Sequence, residues 1–453
     1  MKDFLKITLL GFSVYFFSWL LAYGLGINKL SIQSEDTLPA LFLPAAIIKE
    51  KTLYLDAYYP EMLKNYPHPD DKNYQKGLVP FYVKQIQAGD GVHYVSAFPI
   101  VTPILVLPVY FVSLLLSVPI NLLTVTYLGH ISSALLMAVS GGLFYLLLKR
   151  DFDLSQKQAW LLTTIYMFAT INFALISQAM WQHGTVELFT ILAIYFLVNK
   201  KWFLFGLSAG LMVLSRPTAA LVLPFLGLTI IYKWKDDFKV RQNLEYMLKM
   251  LSGFLIPVLF FVWYTNNFYL GIQNNGYADQ FLTEWQSRFP EGFLGLWLSP
   301  SKGILVYSPI FVFAFIGLWL ARKNFQYLMY GAVVLVHTIV LSKWKHWYGG
   351  WSFGYRMAAD VIPFLVLLII PFLKSHYFEK YKKLFQSLLV FSILVQIFGI
   401  IFFDGIWHAA YDRGFVDTGW LWSIKDSEVA FNIRRVLVKF GYLDKACPKC
   451  LSN

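Results

Sequence analysis

Two carboxylates stand side by side in Ser34-Glu35-Asp36-Thr37-Leu38-Pro39. A carboxylate facing an apolar, partly desolvated groove has a raised pKa and accepts a proton from a hydroxyl, which is the work of a general base. Asp36 is the candidate base and Glu35 its companion. The plainer role for this stretch is a helix N-cap, because Ser34 and Asp36 both suit that position. Further along, His183 and Glu187 follow Trp181-Gln182 at a spacing of four, which puts them on one helix face as candidate substrate-binding residues. Two ligands are too few for a metal centre, so no metal is expected here. Arg216 sits in Leu-Ser-Arg-Pro-Thr between two apolar runs. An arginine there either snorkels to lipid headgroups or uses its guanidinium fork to bind phosphate oxygens.

The densest cluster runs from Lys343 to Arg356 as Lys-Trp-Lys-His-Trp-Tyr-Gly-Gly-Trp-Ser-Phe-Gly-Tyr-Arg. Arg356, with Lys343, Lys345 and His346, carries the positive or titratable groups that bind a phosphate or diphosphate. Trp351 and Tyr355 are candidates for stacking on a sugar face or covering an isoprenoid chain. An interfacial aromatic belt with basic anchors has the same composition. Such a belt has no need of Gly349-Gly350, whereas a backbone that approaches a ligand closely does.

What must position these groups follows from composition. The 453 residues are 57% hydrophobic and only 14% charged, against roughly 25% charged in an average soluble domain. Charge this scarce cannot cover a water-facing surface, which excludes a soluble enzyme, and the chain is too apolar for disorder. The expected class is an all-α polytopic membrane protein, because its unbroken apolar runs suit helices and not the alternating segments of a barrel. The net charge of +12 reads as Lys and Arg gathered in cytoplasmic turns, and no nucleic acid partner is expected.

Roughly eleven spans are expected at the ~20-residue criterion. They fall at 5–25, 122–148, 159–177, 184–198, 202–214, 219–232, 247–266, 304–321, 326–342, 358–373 and 384–403. With the amino end in the cytoplasm, the turns carrying Lys149-Arg150, Lys200-Lys201, Arg322-Lys323 and Lys374–Lys383 then lie inside. Segment 27–103 becomes a long extracytoplasmic loop, with Pro39–Lys49 along the membrane surface. Segment 98–118, apolar but rich in proline, lies at the interface or re-enters. The clusters at Ser34–Thr37, Gln178–Glu187, Ser215–Thr218, Asn266–Lys302 and Lys343–Arg356 all land outside, which suggests one outer-face site. The chain divides into a catalytic domain, 1–403, and an amphiphilic tail, 404–453, placed outside. The only cysteines, Cys447 and Cys450, are expected to form a local disulfide there.

The run of Ser34-Glu35-Asp36-Thr37-Leu38-Pro39, Tyr54-Leu55-Asp56, Gln178–Gly184, Ser215-Arg216-Pro217-Thr218 and Gly349–Arg356 resembles the GT-C class of integral membrane glycosyltransferases. Protein O-mannosyltransferases and the lipid A aminoarabinose transferase belong to that class. The resemblance implies a bacterial cytoplasmic membrane, a large first outer loop, and a sugar donor on a polyprenyl phosphate. It also implies inversion at the anomeric carbon and a protein, glycan or lipid acceptor. Asp36 matches the family's catalytic acid. His183 takes the place where many members carry a second acid, which sets the chain apart from a metal-dependent, two-carboxylate mechanism. No P-loop or Rossmann fingerprint is present, so neither ATP nor a nucleotide sugar is implied and no cofactor is expected. Two other functions use the same groove and cations. One is a transporter or flippase for a lipid-linked glycan, which needs no base. The other is a glycan ligase or polymerase with a diphosphate-linked donor.

Overall fold

The structure, a computed structural model, describes residues 2–28, 32–235, 239–278 and 283–446. Cys447 and Cys450, with the disulfide expected of them, lie outside these residues. Helix dominates the chain, and the one sheet among the described residues has two strands. Among the described residues, six helices are long and apolar enough to cross a membrane: Lys2–Gly24, Leu122–Asp151, Pro217–Trp234, Val240–Phe268, Arg356–Leu373 and Tyr377–Phe402. The bent pair Gln156–Phe168 and Ile171–Gln178, angled by 49°, is a seventh candidate. The protein is therefore a mostly helical membrane protein. Four further apolar helices, Gln182–Val198, Trp202–Ser215, Pro309–Leu320 and Phe325–Leu341, stand where spans were expected but fall short of the length of the others.

The chain forms two compact units, residues 1–16, 31–160 and 176–284 in the first and 17–30, 161–175 and 285–453 in the second.

In the first unit, helix Leu122–Asp151 opens on a reciprocal cap. The Asn121 side chain accepts from the Thr124 N–H and the Thr124 hydroxyl accepts from the Asn121 N–H, both at 3.0 Å. The helix closes on Lys149 and Arg150, whose charges suit its carboxyl end. Trp202–Ser215 and Val240–Phe268 pack backbone to backbone. A Cβ at Gly206 would sit 1.9 Å from the Met250 carbonyl oxygen, and one at Gly253 2.1 Å from that of Phe203. This is the small-residue packing of helices that have no hydrophobic drive between them in lipid.

The polar segment after the first helix is folded, not strung along a surface. Helix Leu38–Ala45 is buried in protein along its length. Its sequence, Leu-Pro-Ala-Leu-Phe-Leu-Pro-Ala, is apolar on every side, and such a helix seeks a core and not an interface. The expected surface position is thereby corrected for residues 39–45, while Lys49 is exposed. Around it gather Leu55, Met62, Tyr82, Val95 and Tyr110. Strands Val83–Ala88 and Gly91–Ser96 pair antiparallel, with Ala88 opposite Gly91, so Gly89-Asp90 is the two-residue turn. Segment 98–118 forms two short helices, Val101–Leu105 and Leu107–Leu115.

In the second unit the tail is integrated into the fold. The Ser299 hydroxyl donates to the Leu421 carbonyl at 2.7 Å, and the Trp407 indole N–H donates to the Asp426 carbonyl at 2.7 Å. Trp407 and Trp420 are buried. Helix Glu428–Lys439, capped by Ser427, sets Glu428, Phe431 and Asn432 inward, while Arg434 and Arg435 pair with Asp426 at 3.2 Å and Asp404 at 2.6 Å.

Candidate functional site

Three of the expected clusters lie in the first unit. Ser34 is the residue that caps the turn Glu35–Thr37, accepting from the Asp36 N–H at 3.4 Å, while the Thr37 hydroxyl donates to the Ser34 carbonyl at 2.8 Å. Ser34 therefore caps this turn. Burial, and then the neighbouring Asp36 charge, raise the Glu35 carboxyl above its ordinary range. Thr37 lines a narrow crevice with Ile32, Thr126, His130 and Gln178.

The residue before the acidic stretch reaches the second cluster. The Trp181 indole N–H donates to Gln33 Oε1 at 3.3 Å, and the Tyr277 hydroxyl donates to Gln182 Oε1 at 2.9 Å. Helix Gln182–Val198 then carries His183 and Glu187 inward, both buried. Arg216 follows the last turn of Trp202–Ser215 in extended backbone, where Pro217 prevents the helix from continuing. Its guanidinium lies 3.4 Å from His183 Nδ1. A guanidinium only donates, so Nδ1 accepts, and the imidazole is neutral with its proton on Nε2. His183 and Arg216 thus meet in a buried polar contact, and Glu187 lies buried one turn along the helix from His183. Arg216 is 9% exposed, which is far from the extended reach of a snorkelling side chain.

The Tyr54-Leu55-Asp56 stretch serves the hairpin. Asp56 accepts from the Tyr94 N–H at 2.7 Å and from His93 Nδ1 at 2.6 Å, and the Tyr54 ring stacks on His93 with centroids 4.1 Å apart. The hydrogen bond to Asp56 raises the His93 pKa.

The cluster Lys343–Arg356 lies in the second unit. Gly349 and Gly350 both adopt left-handed backbone, with φ of 82° and 60°, which L side chains resist. The turn folds onto Arg356: a Cβ on Gly349 would sit 3.0 Å from the Arg356 Cβ. Ser352 ties it with its hydroxyl on the Gly349 carbonyl at 3.0 Å. Arg356 is partly exposed, Lys343 is exposed, and Lys345 and His346 are half-buried. Lys345 Nζ lies 5.2 Å from the Phe415 ring centroid, and His346 Nδ1 lies 2.9 Å from the Tyr348 hydroxyl. Tyr355 is interior, its hydroxyl 2.8 Å from that of Ser308, so it has no open face for stacking. Trp351 does, being 50% exposed.

Beneath this turn lies a group of side chains that sequence reasoning missed. Lys302 is fully buried, donates to the Ser352 carbonyl, and lies 3.0 Å from His408 Nε2. Its ammonium stands over the Trp407 ring, 5.6 Å from the centroid. Glu428, also buried, accepts from the Tyr307 hydroxyl at 3.3 Å. These residues come from four separate stretches of chain, and no local spacing announces them.

Among the described residues, no group of three or more His, Cys, Asp or Glu side chains is placed to hold a metal ion. No protein-family model matches the chain, and no curated protein matches it in sequence.

Proposed function

We propose that this protein is a multi-pass membrane glycosyltransferase that moves a sugar from a polyprenyl-phosphate donor to an acceptor at the outer membrane face, with inversion. In this reading the four shorter apolar helices and the bent pair also cross, which makes about eleven spans. The first long loop and the tail are then extracytoplasmic, in a bacterial cytoplasmic membrane. A polyprenyl phosphate is already an activated leaving group. The enzyme supplies a base for the acceptor, cations for the departing phosphate and a dry groove for the lipid. Asp36 is the base, Arg216 and Arg356 hold phosphate, and Lys343, Lys345 and His346 add positive potential. The acceptor is a protein, glycan or lipid hydroxyl.

The observation that carries the reading is the pair of half-buried carboxylates, Glu35 and Asp36, on the turn that Ser34 caps. Burial, and then the Asp36 charge, hold the Glu35 carboxyl above its ordinary range, which marks the turn as partly desolvated.

One observation favours a transporter. His337 Nε2 lies 3.4 Å from Asp360 Oδ2, and both side chains are fully buried among apolar helices, where ionisable pairs often relay protons. Asp36→Asn in proteoliposomes separates the two. The transferase loses sugar transfer while keeping its fold; a transporter keeps moving lipid. Supplying purified monophosphate- and diphosphate-linked donors in parallel tests the donor class. Transfer only from the diphosphate would overturn the monophosphate assignment in favour of a ligase or polymerase.

A further inference from the structure

We infer that the C-terminal segment builds a sugar-binding platform, with His408 and Asp412 as positioning residues that hold the Trp351 indole fixed and half-open for a pyranose ring. The inference rests on the glycosyltransferase reading.

The indole is constrained on three sides. One face stacks on His408, with centroids 5.8 Å apart and planes 25° from parallel. Its N–H donates to Asp412 Oδ2 at 2.8 Å. Its six-membered edge runs past Gly405, where an added Cβ would lie 3.7 Å from the ring. The constraints are themselves anchored. Asp412 Oδ1 accepts from the Gly414 N–H at 2.7 Å. His408 is fully buried, packed edge-on against Trp407, and 3.0 Å from the Lys302 ammonium. Lys302 in turn holds the Ser352 carbonyl, next in the chain to Trp351.

Yet half of the Trp351 surface is open. A tryptophan that merely anchors a protein at the membrane surface keeps its N–H for water or headgroups. Here the N–H is already bonded to a carboxylate, and what the ring offers outward is a flat apolar face. A carboxylate acceptor also enriches the ring in electron density. Polarised C–H groups are drawn to such a face by the ring quadrupole. A pyranose with several C–H bonds on one side matches it. A bare phosphate or a flexible polyprenyl chain has no use for a rigid plane.

The test uses the full chain in nanodiscs and two kinds of probe. One is farnesyl phosphate; the other is a set of farnesyl-phosphate-linked sugars carrying mannose, glucose, galactose or aminoarabinose. Wild type is expected to bind at least one sugar-bearing probe more tightly than farnesyl phosphate. Trp351→Ala and Asp412→Ala remove that preference, a loss of roughly two- to tenfold, with farnesyl phosphate affinity unchanged. Trp351→Phe, which keeps an aromatic face, retains much of it, and His408→Gln, which keeps an acceptor for Lys302, loses part of it. The inference is overturned if Trp351→Ala leaves the sugar preference intact, or if the variants weaken both probes equally. Wild type binding farnesyl phosphate but no sugar-bearing probe more tightly also overturns it, while leaving the phosphate reading standing. Failure of wild type to bind farnesyl phosphate at all defeats the glycosyltransferase reading itself.

Discussion

The ammonium of Lys302 lies 3.0 Å from Nε2 of His408, and neither side chain is exposed. An ammonium only donates, so Nε2 accepts and the imidazole carries its proton on Nδ1. Burial, and then the adjacent Lys302 charge, push the His408 pKa well down, which keeps the ring neutral and able to accept. Burial also lowers Lys302 to about 8, against the pull of Glu428. Burial raises Glu428 to about 7, although Lys302 and the Tyr307 hydroxyl draw it back.

These shifts give stability a definite pH dependence. Between the ordinary 4.5 of a glutamate and about 7, the folded chain holds a proton on Glu428 that the unfolded chain has released. That contribution is therefore full below 4.5 and is lost as pH rises through about 7. Between about 8 and 10.5, the unfolded chain keeps a proton that folded Lys302 has lost, so stability recovers as pH rises through that window. Thermal unfolding midpoints in detergent should pass through a shallow minimum between the two windows. Glu428→Gln should flatten the acid limb and Lys302→Met the alkaline one. An unchanged profile in both variants would mean that neither group titrates differently in the folded state.

Gly349 and Gly350 share left-handed backbone, but only Gly349 lies against a neighbour; a Cβ on Gly350 meets nothing within 4 Å. Gly350→Ala should therefore cost about 1–3 kcal/mol of backbone strain and little else. Gly349→Ala should pay the same strain and also displace Arg356, so phosphate affinity falls further than stability. Chemical denaturation and farnesyl phosphate binding, measured side by side, check the split; equal effects at the two positions would contradict it.

The long apolar runs were legible because a helix in lipid must satisfy its backbone within itself, and the sequence of such a helix shows little else. Helix Leu38–Ala45 was misplaced because an apolar stretch looks alike whether protein or membrane covers it. The hairpin went unforeseen although Ala-Gly-Asp-Gly, between residues of strand type, was its turn signal. The close pair Trp202–Ser215 and Val240–Phe268 had a written clue too, in Gly206 and Gly210 four residues apart. Of the candidate site, the Arg216–His183 contact joins two motifs already singled out. Lys302, His408, Asp412 and Glu428 were illegible for a different reason. Each is an ordinary residue in its own neighbourhood, and only tertiary packing brings the three stretches together.

Activity is expected to survive removal of divalent metal. His183, not an acid, stands beside Arg216 in the buried patch, and its Nδ1 is occupied as an acceptor from that guanidinium. A cation bound there would face a permanent positive charge at close range. Sugar transfer in EDTA-washed vesicles should remain within about twofold of the untreated rate. Complete loss, restored by Mn²⁺ or Mg²⁺, would point to a metal site built on Glu35, Asp36 and Glu187 instead.

Arg216 and Arg356 should be separable by what else each one does. Removing one charge-assisted phosphate contact costs about 1.5–3 kcal/mol, which is roughly tenfold or more in donor affinity. Arg356 is partly exposed, so Arg356→Ala should weaken farnesyl phosphate binding by that amount with a small change in stability. Arg216 is buried against His183, so Arg216→Ala should weaken binding and also remove the buried bond to Nδ1 of His183. Loss of that bond adds about 1–3 kcal/mol of destabilisation. Arg216→Lys keeps the charge but not the fork, and should restore more of the stability than of the affinity, because a fork matches two phosphate oxygens at once. Unchanged farnesyl phosphate affinity in both alanine variants, with the fold intact, would remove both arginines from the phosphate site. Arg216 would then be a structural residue held against His183.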